Sequence, residues 1–194
     1  RDELHAIAAA LKADPARDLL LGGEATRESV LAANRSGVLA RKKVVAFATH
    51  GLVGGDLPGL GQPALALAAG PGATAPLSAL LSLDDVLGLK LNADWVVLSA
   101  CNSAAGDGRA GEALSGLARG FLYAGSRSLL VTQWAVESES AKRLTTGTFE
   151  YRATHPGAAK AESLRQAMLA LAAEPRYAHP AFWAPFILVG DGRP

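Results

Sequence analysis

Cysteine and methionine each occur once in the 194-residue chain, as Cys101 and Met168. A single cysteine excludes an internal disulfide framework and any zinc site built from several thiolates. Charged residues are also scarce, at 19% of the chain with a formal net charge of +1. Nucleic-acid surfaces need a stripe of Lys and Arg. Here the one dense basic cluster is Arg41-Lys42-Lys43, so direct nucleic-acid binding is not expected. No apolar run reaches the roughly 18 residues that a membrane-spanning helix requires, and no signal peptide is visible in the sequence. Neither a membrane partner nor secretion is therefore expected.

What is abundant is apolar residue, 49% of the total, which rules out a disordered or purely solvating chain. The length suits one domain with its own core, covering 1–194, and falls short of two full domains. The expected compartment is a reducing cytoplasm, and the alanine-rich, lysine-poor composition fits a GC-rich bacterial genome. A chain that opens on Arg1 and holds Met168 as its one methionine reads as a piece of a longer protein.

Four short apolar runs lack polar alternation: Val-Val-Ala-Phe-Ala at 44–48, Trp-Val-Val-Leu at 95–98, Leu-Leu-Val at 129–131 and Phe-Ile-Leu-Val at 186–189. Runs of this kind read as strands buried on both faces. Helical spacing separates them. Ala113, Leu114, Leu117, Phe121 and Leu122 form one stripe. Leu164, Ala167, Met168 and Leu171 form another, with Lys160, Glu162 and Arg165 on its wet side. Further helices are expected over about 138–152 and near the N-terminus, where Leu4, Ile7, Ala8 and Leu11 share a face. Thr26 is the expected N-cap of a short helix ending near Gly37. Residues 19–21 and 64–68 are candidate edge strands, and 51–76 is the longest irregular stretch. The pattern predicts a single α/β domain with a mostly parallel sheet and helices on both faces.

Open α/β sheets do their chemistry beyond the carboxyl ends of the strands. Thr49-His50-Gly51 follows the first run, Ser99-Ala100-Cys101-Asn102-Ser103 the second, and Thr132-Gln133-Trp134 the third. A thiol attacks only as thiolate, and a neighbouring imidazole both favours that form and can later protonate a leaving amine. Adjacent strands lie about 4.8 Å apart, so rim residues on neighbouring parallel strands can come within hydrogen-bonding range. His50 and Cys101 are accordingly the candidate catalytic pair. Gly51, lacking a side chain, lets its backbone N–H approach a substrate carbonyl, and with the Cys101 N–H it forms a candidate oxyanion hole. A lone buried cysteine is often structural filling. It is the histidine at a matching strand end, 51 residues upstream, that favours catalysis here.

The segments Phe47-Ala48-Thr49-His50-Gly51 and Val96-Val97-Leu98-Ser99-Ala100-Cys101-Asn102-Ser103 resemble the CHAT domain, a branch of the caspase-like cysteine peptidases that includes separase relatives. Residues 19–26, 111–125, 128–134 and 179–191 are similar to the family's flanking elements, so the likeness runs from about Asp18 to near the C-terminus. It implies a caspase-like three-layer sandwich whose N-terminal strands lie upstream of this chain. It also implies endopeptidase activity on a protein or peptide substrate, with His50 as base and later acid, Cys101 as nucleophile, a thioester intermediate, and neither cofactor nor metal. Relatives carry tetratricopeptide repeats before the domain, and some are switched on by a partner, so such a region or an activating partner outside this chain is implied. The chain would then be the C-terminal part of its protein. Other relatives are catalytically silent scaffolds. Asn102-Ser103-Ala104 departs from the family's commoner acidic-or-Asn, Thr, Gly ending, which bears on substrate contacts.

Rival motifs carry less. Gly106-Asp107-Gly108-Arg109-Ala110-Gly111 matches the dinucleotide fingerprint, but five residues, Cys101 to Ala105, intervene before it, whereas the fingerprint needs its first glycine at the strand end. An active-site loop is the expected reading. There is no phosphate-loop lysine, no Gly-x-Ser-x-Gly elbow and no His-Glu-x-x-His. His5, His155 and His179 read as a helix-surface residue and two turn residues. Asn102, Asp107, Trp134 and Glu137 are the candidate substrate-pocket residues. Packing is the alternative role for Trp134, and helix-terminal charge or solvation the alternative for the acidic side chains.

Overall fold

The computed structural model describes residues 2–72, 75–99, 109–134 and 136–193, without the side chains of 76 and 109–115. Among the described residues there are seven strands and seven α-helices. Helix α1 (Asp2–Ala10) and the single turn α2 (Pro15–Asp18) precede α3 (Arg27–Arg35) and strand β1 (Val44–Phe47). Strands β2 (Gly51–Leu52), β3 (Ala64–Ala66) and β4 (Leu80–Ser82) follow, then α4 (Leu83–Leu87), β5 (Trp95–Leu98), α5 (Arg109–Tyr123) and β6 (Ser128–Thr132). Helices α6 (Ser138–Thr154) and α7 (Lys160–Ala172) lead to the last strand, β7 (Phe186–Gly190).

The central sheet has the order β1-β5-β6-β7, with β1, β5 and β6 parallel and β7 antiparallel at its edge. Alternation along β5 divides its side chains between two helical layers. Val96 and Leu98 pack with Phe47, Leu129, Leu117, Phe121, Val86 and Val30, the layer of α3, α4 and α5. Trp95 and Val97 pack with Ile7, Leu130, Leu144, Phe149 and Leu164, the layer of α1, α6 and α7. Aromatic pairs anchor both sides: Phe47 and Phe121 lie 5.5 Å apart, and Trp95 meets Phe149 edge-on at 5.5 Å. Each such fully buried side chain contributes about 1.5–3 kcal/mol through area removed from water. The expected α/β architecture, a mostly parallel sheet between helices, is what the chain adopts.

Full burial holds for all four residues of β5 and nearly all of β6. It does not hold for β1 and β7, which are half-buried because they form the edges of the described sheet. Residues 19–21 are extended but form no strand. The α2 turn, capped by Asp14, and the 3-10 turn Gly22–Glu24 leave too little chain between them. Residues 64–66 do form a strand, yet in a second, antiparallel sheet of order β2-β3-β4 rather than at the edge of the main one. The stretch 51–76 is thus less irregular than its glycines and prolines suggest.

Local signals set the helix boundaries. Thr26 Oγ1 accepts the Ser29 N–H at 3.0 Å and caps α3. Ser82 and Asp85 form a reciprocal capping box on α4. Asp85 also receives a bidentate pair from Arg27 at 2.8 and 2.6 Å, which ties α3 to α4. At the end of α5 the chain turns through Gly125 at φ +107°, where an added Cβ would stand 2.3 Å from the Leu91 carbonyl oxygen. No residue but glycine fits there without displacing backbone.

Candidate active site

The rim at the carboxyl ends of β1, β5 and β6 collects the sequence-predicted residues that the structure describes. Strand β1 ends at Phe47, and three residues later His50 stands exposed at the start of the small sheet. Two contacts from β3 fix its backbone. The Ala66 N–H donates to the His50 carbonyl at 2.9 Å, and the Thr49 hydroxyl donates to the Ala66 carbonyl. The small sheet therefore works as a clamp on the Thr49-His50 segment.

Gly51 is buried and pairs with Leu65. Antiparallel ladders alternate hydrogen-bonded and non-hydrogen-bonded pairs. Because His50 and Ala66 form a bonded pair, the next pair, Gly51 and Leu65, is a non-bonded one. The Gly51 N–H accordingly points away from β3.

On the neighbouring strand, Phe47 is the register partner of Leu98, and the Ser99 N–H continues the ladder to the Phe47 carbonyl at 3.0 Å. Cys101, Asn102 and Asp107 lie outside the described residues, as do residues 106–108 of the glycine fingerprint and the side chain of Glu112.

The remaining candidates fall at the same end of the sheet. Trp134, two residues beyond β6, is 40% exposed. Glu137 caps α6: its carboxylate accepts the Ser140 N–H at 2.8 Å and lies 3.7 Å from Arg176. The Ser140 N–H bond leads the effects that hold its pKa below the ordinary value. Glu139 pairs with Lys142 and Arg143 one turn on. The other histidines have local roles. His155 stacks on Tyr151 at 4.1 Å at the end of α6, His179 Nδ1 accepts the Ala181 N–H at a 3-10 turn, and His5 is exposed on α1.

The sequence reading missed Glu3. Its Oε1 accepts the Ser99 hydroxyl at 2.5 Å and the Thr145 hydroxyl at 3.2 Å, so α1 and α6 meet at the residue that follows β5. Burial pushes the Glu3 carboxyl up, and the two hydroxyl donors only partly offset that. The available signal was its spacing of four from buried Ile7, which puts both on one helical face. A second correction concerns Lys160, expected on the wet side of α7. It is 2% exposed, because it opens the helix beneath the end of β7, where its ammonium donates to the Asp191 carbonyl at 3.2 Å.

Among the described residues no group of three His, Cys, Asp or Glu side chains could hold a metal ion, and no helix is long and apolar enough to cross a membrane.

The sequence compares with known proteins in two ways. It is 34% identical over 112 residues to Tetratricopeptide repeat protein 28 of Mus musculus. That alignment covers 58% of this chain and 4% of the mouse protein, so the chain spans a small fraction of its relative. The sequence model of the CHAT domain matches residues 1–191, almost end to end. With the α/β architecture and the strand-end histidine, that match settles the family: the chain belongs to the CHAT domain family.

Proposed function

We propose that this chain is a caspase-like cysteine endopeptidase that cleaves a protein substrate through His50 and Cys101. The register of β1 and β5 carries the reading. Phe47 stands opposite Leu98, and His50 and Cys101 each follow their member of that pair by three residues. The outward direction of the Gly51 N–H supports the oxyanion role assigned to it together with the Cys101 N–H. Trp134, exposed at this rim, is the pocket-lining side chain we assign, with Asn102 and Asp107 contributing polar contacts. Glu137 would contribute at the edge, since its carboxylate already serves α6.

In the proposed reaction His50 takes the Cys101 proton, and the thiolate sulfur bonds to the scissile carbonyl carbon. The carbonyl π-pair moves onto oxygen, where two backbone N–H groups receive it. When the tetrahedral species collapses, the C–N bond breaks and the leaving amine takes the proton held on His50. Water then attacks the thioester, with His50 as base, releasing a carboxylic acid and restoring the thiol. No metal or cofactor enters any step. The two helical layers share one sheet, which supports reading the chain as one domain. Its composition supports a bacterial cytoplasm as the place of action.

The test is a peptide-library digest with the wild-type chain and its Cys101→Ala variant, paired with labelling by an electrophilic thiol probe. Cleavage abolished by Cys101→Ala, with labelling slowed by His50→Ala, is expected. Undiminished labelling in a folded His50→Ala variant would overturn activation by that imidazole. The second reading is a catalytically silent scaffold, supported by the mouse relative, which is named for its tetratricopeptide repeats. Under it, repeat-bearing or activating partners bind and no peptide is cut in their presence.

A further inference from the structure

The opposite end of the central sheet from His50 carries a second constellation. A cavity of about 390 Å³ is lined by six residues, all ionisable: Asp94, Arg127, Arg152, Lys160, Asp191 and Arg193. Topology brings them together. Asp94 and Arg127 immediately precede the parallel strands β5 and β6, and Asp191 and Arg193 follow the antiparallel β7, so all four lie at one sheet end. Arg152 comes from the last turn of α6, and Lys160 is the first residue of α7.

The charges do not balance: there are four cations and two carboxylates. Each carboxylate is committed to an arginine, Asp94 to Arg127 at 2.7 Å and Asp191 to Arg193 at 2.9 Å. Arg152 and Lys160 form no ion pair among the described residues. Their side-chain hydrogen bonds go to main-chain carbonyls, from Arg152 to Ala158 at 2.8 Å and from Lys160 to Asp191 at 3.2 Å. Lys160 is 2% exposed. An ammonium in that position retains donors that one carbonyl does not use, and burial presses its pKa downward, a penalty that a bound anion would relieve. The N-terminus of the 13-residue α7 opens on the same cavity, capped by Ala159 without a side-chain hydrogen bond, and its dipole adds positive potential.

We infer that this cavity binds a small phosphate-bearing anion carrying at least two negative charges. A guanidinium presents a fork of N–H groups suited to phosphate oxygens, and an ammonium supplies a point charge. The cavity has room for more than one phosphate. The near-complete burial of Lys160 favours a compact ligand that can enter over a bulky chain.

Inorganic pyrophosphate is the probe. Thermal melting and isothermal titration of the whole chain are run with sodium pyrophosphate against sodium chloride of equal ionic strength, on wild type, Arg152→Gln, Lys160→Met and the exposed control Arg165→Gln. Saturable binding that raises the melting temperature, weakened at least tenfold by Arg152→Gln and by Lys160→Met but unchanged by Arg165→Gln, is expected. Should Lys160→Met fail to fold, the pair Arg152→Gln and Arg165→Gln decides alone. Absence of saturable binding to wild type, or equal binding by Arg152→Gln and Arg165→Gln, overturns the site. Neither result depends on whether Cys101 is catalytic.

Discussion

Phe47 and Leu98 face each other as the last registered pair of β1 and β5, and the Ser99 N–H reaches back to the Phe47 carbonyl at 3.0 Å. The relationship matters because parallel strands advance together. Ala48 after Phe47 and Ser99 after Leu98 therefore leave the sheet at the same end. His50 and Cys101 are equally distant from this pair along the chain, and four consequences for the surrounding structure can be tested.

Thr49→Val removes the hydroxyl that holds the Ala66 carbonyl beside His50 while keeping the side-chain shape. A destabilisation of about 1–2 kcal/mol is expected from the lost hydrogen bond and the carbonyl acceptor left short of a partner. Urea unfolding of the variant measures it. If the peptidase reading holds, loosening of the His50 backbone lowers kcat more than it alters KM.

Glu3 predicts a particular pH dependence. Burial raises the folded-state pKa above the ordinary value of 4.5, against the lowering effect of Ser99 and Thr145. As pH rises from below 4.5, the unfolded chain gives up this proton first and the folded chain later. The folded state therefore binds more protons in that window, and stability falls with rising pH. Glu3→Gln keeps an acceptor oxygen for both hydroxyls but cannot titrate. The stability difference, wild type minus Glu3→Gln, should decline as pH climbs past 4.5; a flat difference across pH 4–8 contradicts the buried carboxyl.

Arg27 and Asp85 predict the opposite slope. Burial pushes the Asp85 carboxyl up, but the Arg27 pair and the Ser82 donors outweigh it and hold the pKa below 3.8. The stabilisation is therefore present above 3.8 and is lost as pH falls through the depressed folded value. Arg27→Met should cost about 1–2 kcal/mol at neutral pH, the guanidinium being partly exposed. Denaturant melts at successively lower pH should show the gap between wild type and variant closing.

Gly125→Ala tests the turn between α5 and β6. A β-carbon there meets backbone at 2.3 Å, and the φ of +107° is strained for any side chain. A loss of more than about 2 kcal/mol is expected. By contrast Gly23→Ala, where an added Cβ meets nothing within 4 Å, should change the melting temperature little.

Local chemistry made much of this protein legible from its residues alone. The apolar run Trp95–Leu98 reads as buried on both sides, and β5 is. A threonine before a short amphipathic run caps it, as Thr26 does. The rule that chemistry lies beyond strand ends pointed to His50, and the structure sets it at that rim. These are short-range consequences of side-chain shape, polarity and spacing. Tertiary structure alone decided the strand order, the antiparallel sense of β7, and the separate sheet whose Ala66 clamps the His50 backbone, because pairing joins segments far apart in sequence. It also decided the fate of two charges. Lys160 reads as a solvated residue of α7 and Glu3 drew no reading of its own, yet the packing of α7 beneath β7 takes Lys160 out of water, and that of α1 against α6 partly buries Glu3. Helical periodicity describes one helix at a time, and burial of a helix-terminal charge depends on what packs against it.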